Sequence, residues 1–223
     1  MQIAVVTAHP DDAEIFAGGM IAAWRAMGAG VTVFVATGGG RGGAGDPRAL
    51  AERRAREAAQ AAAALDARLV LMGHPDGRLE VAALASDLAQ RLIAAAPDLV
   101  LTHAPDDYHA DHIATSAATR RAVSFRAPVA WLEPMAGLGF QPTHWIDTTA
   151  HQDAKDRAIL CHASQDPERF VRQSRALAQM RAAQCGHDGF AETIRHGPVY
   201  PFADIRALLP APPPVRPVRD RSR

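Results

Sequence analysis

Lysine is almost missing from this chain: Lys155 is the only one among 24 basic residues. Acidic residues also number 24, so the formal net charge is zero. With no excess of either sign, nothing in the composition draws the protein to nucleic acid or to an anionic membrane surface. Only two cysteines occur, Cys161 and Cys185, without a CxxC spacing, which removes the cysteine-rich zinc and dithiol redox motifs. Two reduced, partly buried thiols are expected. No window approaches the roughly 18 unbroken apolar residues of a membrane span. The N-terminus enters an apolar run at once, with neither a basic leader nor a small-residue cleavage site. A cytoplasmic protein with no membrane span is the expectation.

What is present is ordinary for a soluble globular protein. The 223 residues are 48% hydrophobic and 22% charged, enough for one large α/β domain and too few for two comfortable ones. Short β-branched runs alternate with long Ala/Arg/Leu-rich stretches, which predicts βαβ units around a mostly parallel sheet, a single Rossmann-like domain. Strands are predicted over 3–7, 31–36, 68–72, 98–102, 128–132 and 144–146. Helices are predicted over 15–27, 49–65, 81–95, 110–123, 150–162 and 167–184. Asp46 is placed to cap the second helix, with Pro47 at its first position. An irregular stretch follows the last helix. Residues 1–209 are expected to form the domain. Residues 210–223, rich in proline and arginine, are expected to be a disordered tail.

Two clusters carry chemistry. His9-Pro10-Asp11-Asp12 follows the first strand, at the edge where open α/β sheets bind ligands. His109-Ala110-Asp111-His112 lies after the fourth strand. A catalytic zinc site takes three protein ligands and leaves a position for water. His9, Asp12 and His112 supply such a set, which suits Zn2+ and, as a His/His/Asp set, Fe2+ as well. Asp11, beside a ligand but not consumed by it, is placed as general base. His109, three residues before His112 and so on the same helical face, is placed to stabilise an oxyanion or protonate a leaving amine. Asp111 is expected to orient a metal-bound imidazole from behind. Arg41, Arg54 and Asp76 are candidate substrate contacts; a solvated loop, a solvated helix face and a simple turn are their plainer readings. His74, His151, His187 and His196 have no such companions and are read as structural or surface residues.

On these residues the chain resembles the PIG-L/LmbE-like family of N-acetylglucosaminyl deacetylases. The resemblance rests on His9-Pro10-Asp11-Asp12 with Gly18-Gly19, and on His109-Ala110-Asp111-His112. Weaker matches are Thr37 to Gly43, Arg54 with Glu57, Gly73 to Gly77, Lys155, His162 with Ser164-Gln165, and Ala191-Glu192. It implies an LmbE-like fold, zinc held by His9, Asp12 and His112, Asp11 as base, and His109 as acid or oxyanion partner. It also implies an N-acetylglucosamine-type conjugate as the small-molecule substrate. Phe16 departs from the family, where many members carry a small residue, and is expected to reshape the entrance. A homo-oligomer is compatible with the sequence.

Two alternatives stay open. One is an amidase that cuts an amide conjugate with the same site. The other is a nucleotide-binding Rossmann module built on the glycine-rich loop Gly38 to Gly43, although that loop lacks the GxGxxG spacing and runs into Asp46-Pro47. A flap over the metal site is the other expected role for this loop.

Overall fold

Alternating strand residues of the central sheet enter two separate cores. Ile3, Val5, Val31, Val33, Leu99 and Leu101 face one; Ala4, Val6, Phe34 and Val100 face the other. A strand sends successive side chains to opposite faces, so a near-continuous apolar run such as Ile3 to Val6 requires cover on both sides. The computed structural model describes residues 1–197 and 203–214 and supplies that cover as helices. Its elements in order are β1 (Gln2–Thr7), α1 (Asp12–Ala26), β2 (Gly30–Thr37), α2 (Pro47–Ala64), β3 (Arg68–His74), α3 (Val81–Ala95), β4 (Leu99–His103), α4 (Ala110–Val123), β5 (Val129–Leu132), β6 (His144–Asp147), α5 (Gln152–Leu160), α6 (Pro167–Gln184) and β7 (Ala191–Arg195). Asp46 caps α2, accepting from the Arg48 N–H.

The seven strands run in the order β3-β2-β1-β4-β5-β7-β6. The first five pair in parallel, while β7 pairs antiparallel with both β5 and β6. Strand order reverses between β1 and β4, so the loops leaving their C-terminal ends diverge and open a crevice. Both predicted clusters sit on those loops. The α/β, mostly parallel Rossmann-like architecture expected from the sequence is the one observed.

Two expectations need correction. The stretch after α6, read as irregular, contains β7, a strand inserted between β5 and β6. The tail expected from residue 210 is partly packed: Pro210 and Pro213 are buried, and the Ala211 carbonyl accepts from the Asp147 N–H of β6 at 2.9 Å. A proline-rich segment lacks N–H donors but keeps its acceptors, and the edge strand β6 has donors to give. Residues 215–223 of that expected tail lie outside the described residues. No helix among the described residues is long and apolar enough to cross a membrane.

Behind the crevice, the lone lysine explains a glycine pair. Lys155 and Glu192 are buried and their charges meet at 2.8 Å. The Glu192 carboxylate also accepts from the Gly19 and Met20 N–H groups, at 2.9 and 2.7 Å. A Cβ at Gly18 would lie 2.8 Å from Lys155 Cγ, and one at Gly19 2.7 Å from Thr148 Cβ, so α1 approaches α5 and β7 this closely only with glycines. Removing one partner of a buried pair strands the other charge, which costs about 3–5 kcal/mol. Glu192→Ala is therefore expected to lower the unfolding free energy by about that amount in a denaturant titration; a midpoint equal to wild type would show the pair to be dispensable.

Candidate active site

The loop after β1 turns sharply into α1, and Asp11 makes that turn with φ at 123°, a conformation that costs a non-glycine residue of order 1–3 kcal/mol. Arg54 of α2 holds it there. The guanidinium is buried and donates to the Pro10 carbonyl at 2.6 Å, the Asp11 carboxylate at 3.0 Å and the Gly39 carbonyl at 2.9 Å. A Cβ at Gly39 or Gly42 would fall 2.5 Å from Arg54 Nη1. Gly39 and Gly42 thus make room for this arginine, which occupies the loop where a phosphate would be cradled. The plainer reading of Arg54 does not hold, since it is not on a solvated face.

Asp12 opens α1, three residues before the predicted helix start. Asp11 and Asp12 therefore diverge because of the turn and the helix, and not because an extended strand alternates. The Asp12 carboxylate is a hub. It accepts from the His9 backbone N–H at 2.7 Å. One oxygen lies 3.4 Å from His9 Nδ1 and 3.3 Å from His103 Nε2, and the other 3.5 Å from His112 Nε2. His112 is steered from behind by Asp107, 3.0 Å from its Nδ1, and is stacked on His103 at 3.8 Å. His9 turns its Nε2 toward Asp76 and Asp111, both at 3.3 Å. Asp111 in turn accepts from the Gly77 N–H at 2.7 Å, which ties the loop after β3 to α4.

Charge in this cluster is finely divided. Burial pushes the Asp11 carboxyl up to about 7, although Arg54 pulls the other way. Burial acts on Asp12 as well, but His112 and His103 outweigh it and hold that carboxyl well below its ordinary value. Burial opposes the charged form of His9 and His112, yet their carboxylate neighbours raise them to about 10 and about 9. Burial takes His103 down to about 4, and it accepts the Ala8 N–H at 3.0 Å, as a neutral ring does. Protonated His9 and His112 balance the carboxylates here, a task that a cation would take over with release of protons.

Three overlapping groups present ligand atoms within 4.8 Å of one another: His9, His109 and His112; Asp12, His103 and His112; His9, Asp76 and Asp111. His109 caps α4, its Nδ1 accepting from the Asp111 N–H at 3.2 Å, and stacks on His112 at 4.6 Å. All nine residues singled out in the sequence line one cavity of about 310 Å³. Arg41, Asp76 and Asp111 gather around Gly77 as a polar wall, and Ile15, Phe16 and Met135 form an apolar one, where a second small cavity adjoins.

Two residues escaped the sequence reading. Asp107, not Asp111, steers His112, and Asp111 instead meets His9. The signal was a carboxylate five residues before a histidine across a helix start. His103 is the last residue of β4, on the same sheet edge as His9, and that position marked it. Away from the cavity, His74 pairs with Asp87 and His196 bonds the Val129 carbonyl, consistent with structural roles.

Comparison with solved structures shows the same fold elsewhere. The N,N'-diacetylchitobiose deacetylase of Pyrococcus horikoshii matches with a TM-score of 0.80 over 92% of this chain and 88% of its own, at 23% identity. A conserved protein of Thermus thermophilus matches with a TM-score of 0.77 over 99% of both chains, at 26% identity. GalB, the 4-carboxy-2-hydroxymuconate hydratase of Pseudomonas putida, matches with a TM-score of 0.77 over 87% of this chain and 95% of its own, at 25% identity. No curated protein sequence matches the chain. The family signature of GlcNAc-PI de-N-acetylase matches residues 4–123, more than half of the chain and inclusive of both clusters. By that match the chain belongs to the PIG-L family.

Proposed function

We propose that the protein is a divalent-metal-dependent N-deacetylase that releases acetate from an N-acetylglucosamine-type sugar attached to a larger carrier. The observation that carries this reading is the Asp12 carboxylate facing His9 Nδ1 and His112 Nε2 at 3.4 and 3.5 Å, in a cavity that also holds Asp11 and His109. Membership of the PIG-L family supports the same reaction. His9, Asp12 and His112 are the proposed ligands, with Zn2+ as the ion and Fe2+ as a substitute the same donors accept.

The residues fit such an ion. Two imidazoles and a carboxylate are ordinary zinc donors. Asp12 reaches His9 with one oxygen and His112 with the other, whereas the groups whose atoms all come within 4.8 Å join His112 to Asp12 and His103 or to His9 and His109. With Arg54 committed to Asp11, the carboxylates of Asp12, Asp76 and Asp111 supply negative charge for a cation once His9 and His112 give up their protons. When bound, the ion polarises the amide carbonyl and lowers the pKa of water.

The chain's own groups do the rest. Asp11, fixed by Arg54, takes the proton of the attacking water and returns it to the departing nitrogen. The His109 ring accepts a backbone N–H at Nδ1, so its proton sits on Nε2, free to donate to the oxyanion. Asp111 supports His9. Arg41 and Asp76, joined by the Arg41 N–H at 2.7 Å, offer polar contacts to sugar or carrier.

The hydratase named among the similar structures acts on a carboxylated substrate. Against such a substrate the polar lining sets Asp76 and Asp111 beside Arg41, while Arg54 is committed to Asp11. Nucleotide binding is disfavoured by the filling of the glycine loop with Arg54. An amidase on another conjugate shares all the chemistry above, and substrate decides between the two. Acetate release by the zinc-loaded protein from a panel of N-acetylglucosamine conjugates is the test. Activity on at least one conjugate, with poor activity on the free monosaccharide, is expected because carrier contacts position the acetamide. Cleavage of other amides alone would make the protein an amidase, and no cleavage of either would remove the assignment.

Asp107→Ala should weaken zinc affinity by about 10–100-fold, the usual cost of losing the partner that orients a ligating histidine. Competition with a chromophoric chelator measures it; unchanged affinity would show that His112 is not a ligand steered by Asp107.

A further inference from the structure

We propose that Phe16, together with Met135, sets the length of the acyl group this enzyme accepts, closing off a second chamber that would otherwise extend the site. This rests on the amide-hydrolase reading above. A small cavity of about 20 Å³ lies behind the main one, room for a single water. Ile15, Phe16 and Met135 line both spaces and so form the partition. Phe16 stands edge-on to the rings of His103 and His112, at 5.7 and 5.9 Å, directly beside the reacting centre.

The two sides of an amide substrate need different surroundings. The sugar and its carrier carry hydroxyl groups, which the polar wall around Arg41 and Asp76 satisfies. The acyl side carries only carbon beyond its carbonyl, and with the sugar on the polar wall it points to the apolar wall that Phe16 and Met135 share. An acetyl methyl ends there. Each further methylene must displace the Phe16 ring.

The chamber behind is suited to alkyl groups despite its polar residues, because those residues are occupied with one another. Lys155 is paired with Glu192. Glu133 is held by Arg181 and by the Thr193 hydroxyl. The Ser174 hydroxyl donates to the Val171 carbonyl at 3.3 Å, and Leu177, Ala178 and Ala191 complete the lining. An alkyl chain entering there leaves none of these pairs unmade. Phe16→Ala therefore joins the two cavities without exposing a free charge.

The test uses zinc-loaded wild type, Phe16→Ala and Met135→Ala, with N-acetyl, N-propionyl and N-butyryl glucosamine on one carrier. A methylene in an apolar pocket changes specificity by about tenfold or more. Wild type should prefer acetyl over butyryl by about 100-fold, and either variant should reduce that preference by about tenfold or more. A second readout needs no turnover: displacement of a bound chromophoric hydroxamate by acetate, propionate or butyrate should favour acetate in wild type and the longer acids in the variants. The two residues belong to different elements, Phe16 to α1 and Met135 to the segment after β5, so failure of one variant to fold leaves the other. If wild type hydrolyses the acetyl substrate but chain-length preference is the same in all three proteins, Phe16 is not the selector. If wild type hydrolyses nothing, the deacetylase assignment fails, and an unchanged carboxylate ranking would then overturn the partition on its own.

Discussion

Asp11→Asn is expected to lower turnover by roughly two to four orders of magnitude while metal content stays at the wild-type level. Asparagine keeps the size of the side chain and an oxygen that accepts from Arg54, now 3.0 Å from the carboxylate. It also keeps Asp12 and the imidazoles undisturbed. What it loses is the ability to take a proton from water. Turnover is to be measured alongside metal analysis and circular dichroism of the same preparation. Near-normal activity in a metal-replete, folded Asp11→Asn would assign the proton to another group and leave Asp11 a structural partner of Arg54.

The second large effect is the loss of metal in Asp12→Ala. Its carboxylate contacts the imidazoles of His9, His103 and His112, so removing it takes away a proposed ligand and the centre of the arrangement. Zinc affinity should fall by more than the 10–100-fold expected of an outer partner such as Asp107, and turnover should fall to background. His9→Ala and His112→Ala should each lower occupancy too. Asp12→Asn serves as a control for shape, because it preserves the acceptor for the His9 backbone N–H but not the charge. Full zinc content in Asp12→Ala would move the ion to another donor group, with His9, His109 and His112 the first candidates.

Outer residues sort by what they touch. Arg41 and Asp76 line the cavity and are the proposed contacts for a carrier. Arg54 faces inward to Pro10, Asp11 and Gly39, so its loss would disorder the base and the glycine loop together. The same residue thus explains two of the glycines between β2 and α2, Gly39 and Gly42.

The sequence determined the elements and most of the site's membership. Apolar runs such as Ile3 to Val6, followed by helix-forming stretches, dictate a parallel sheet covered on both faces, and the two histidine-aspartate clusters fall at strand ends by local order alone. Capping by Asp46 was legible for the same reason, since it depends on neighbours in the chain. Tertiary structure decided what depends on partners distant in sequence. β7 is a strand because β5 and β6 lie either side of it, and Pro210 and Ala211 pack because β6 has an unpaired edge. Asp107 rather than Asp111 steers His112, because the loop before α4 points Asp107 at that ring while α4's first turn points Asp111 at His9. His103 joins the site only where β4 lies beside β1. Arg54 is buried with Asp11, 43 positions away, since only the packing of α2 over the first loop turns an arginine of a polar helix inward. Local patterns fix elements through short-range backbone preference; long-range packing fixes which charged groups meet, and that meeting sets the chemistry.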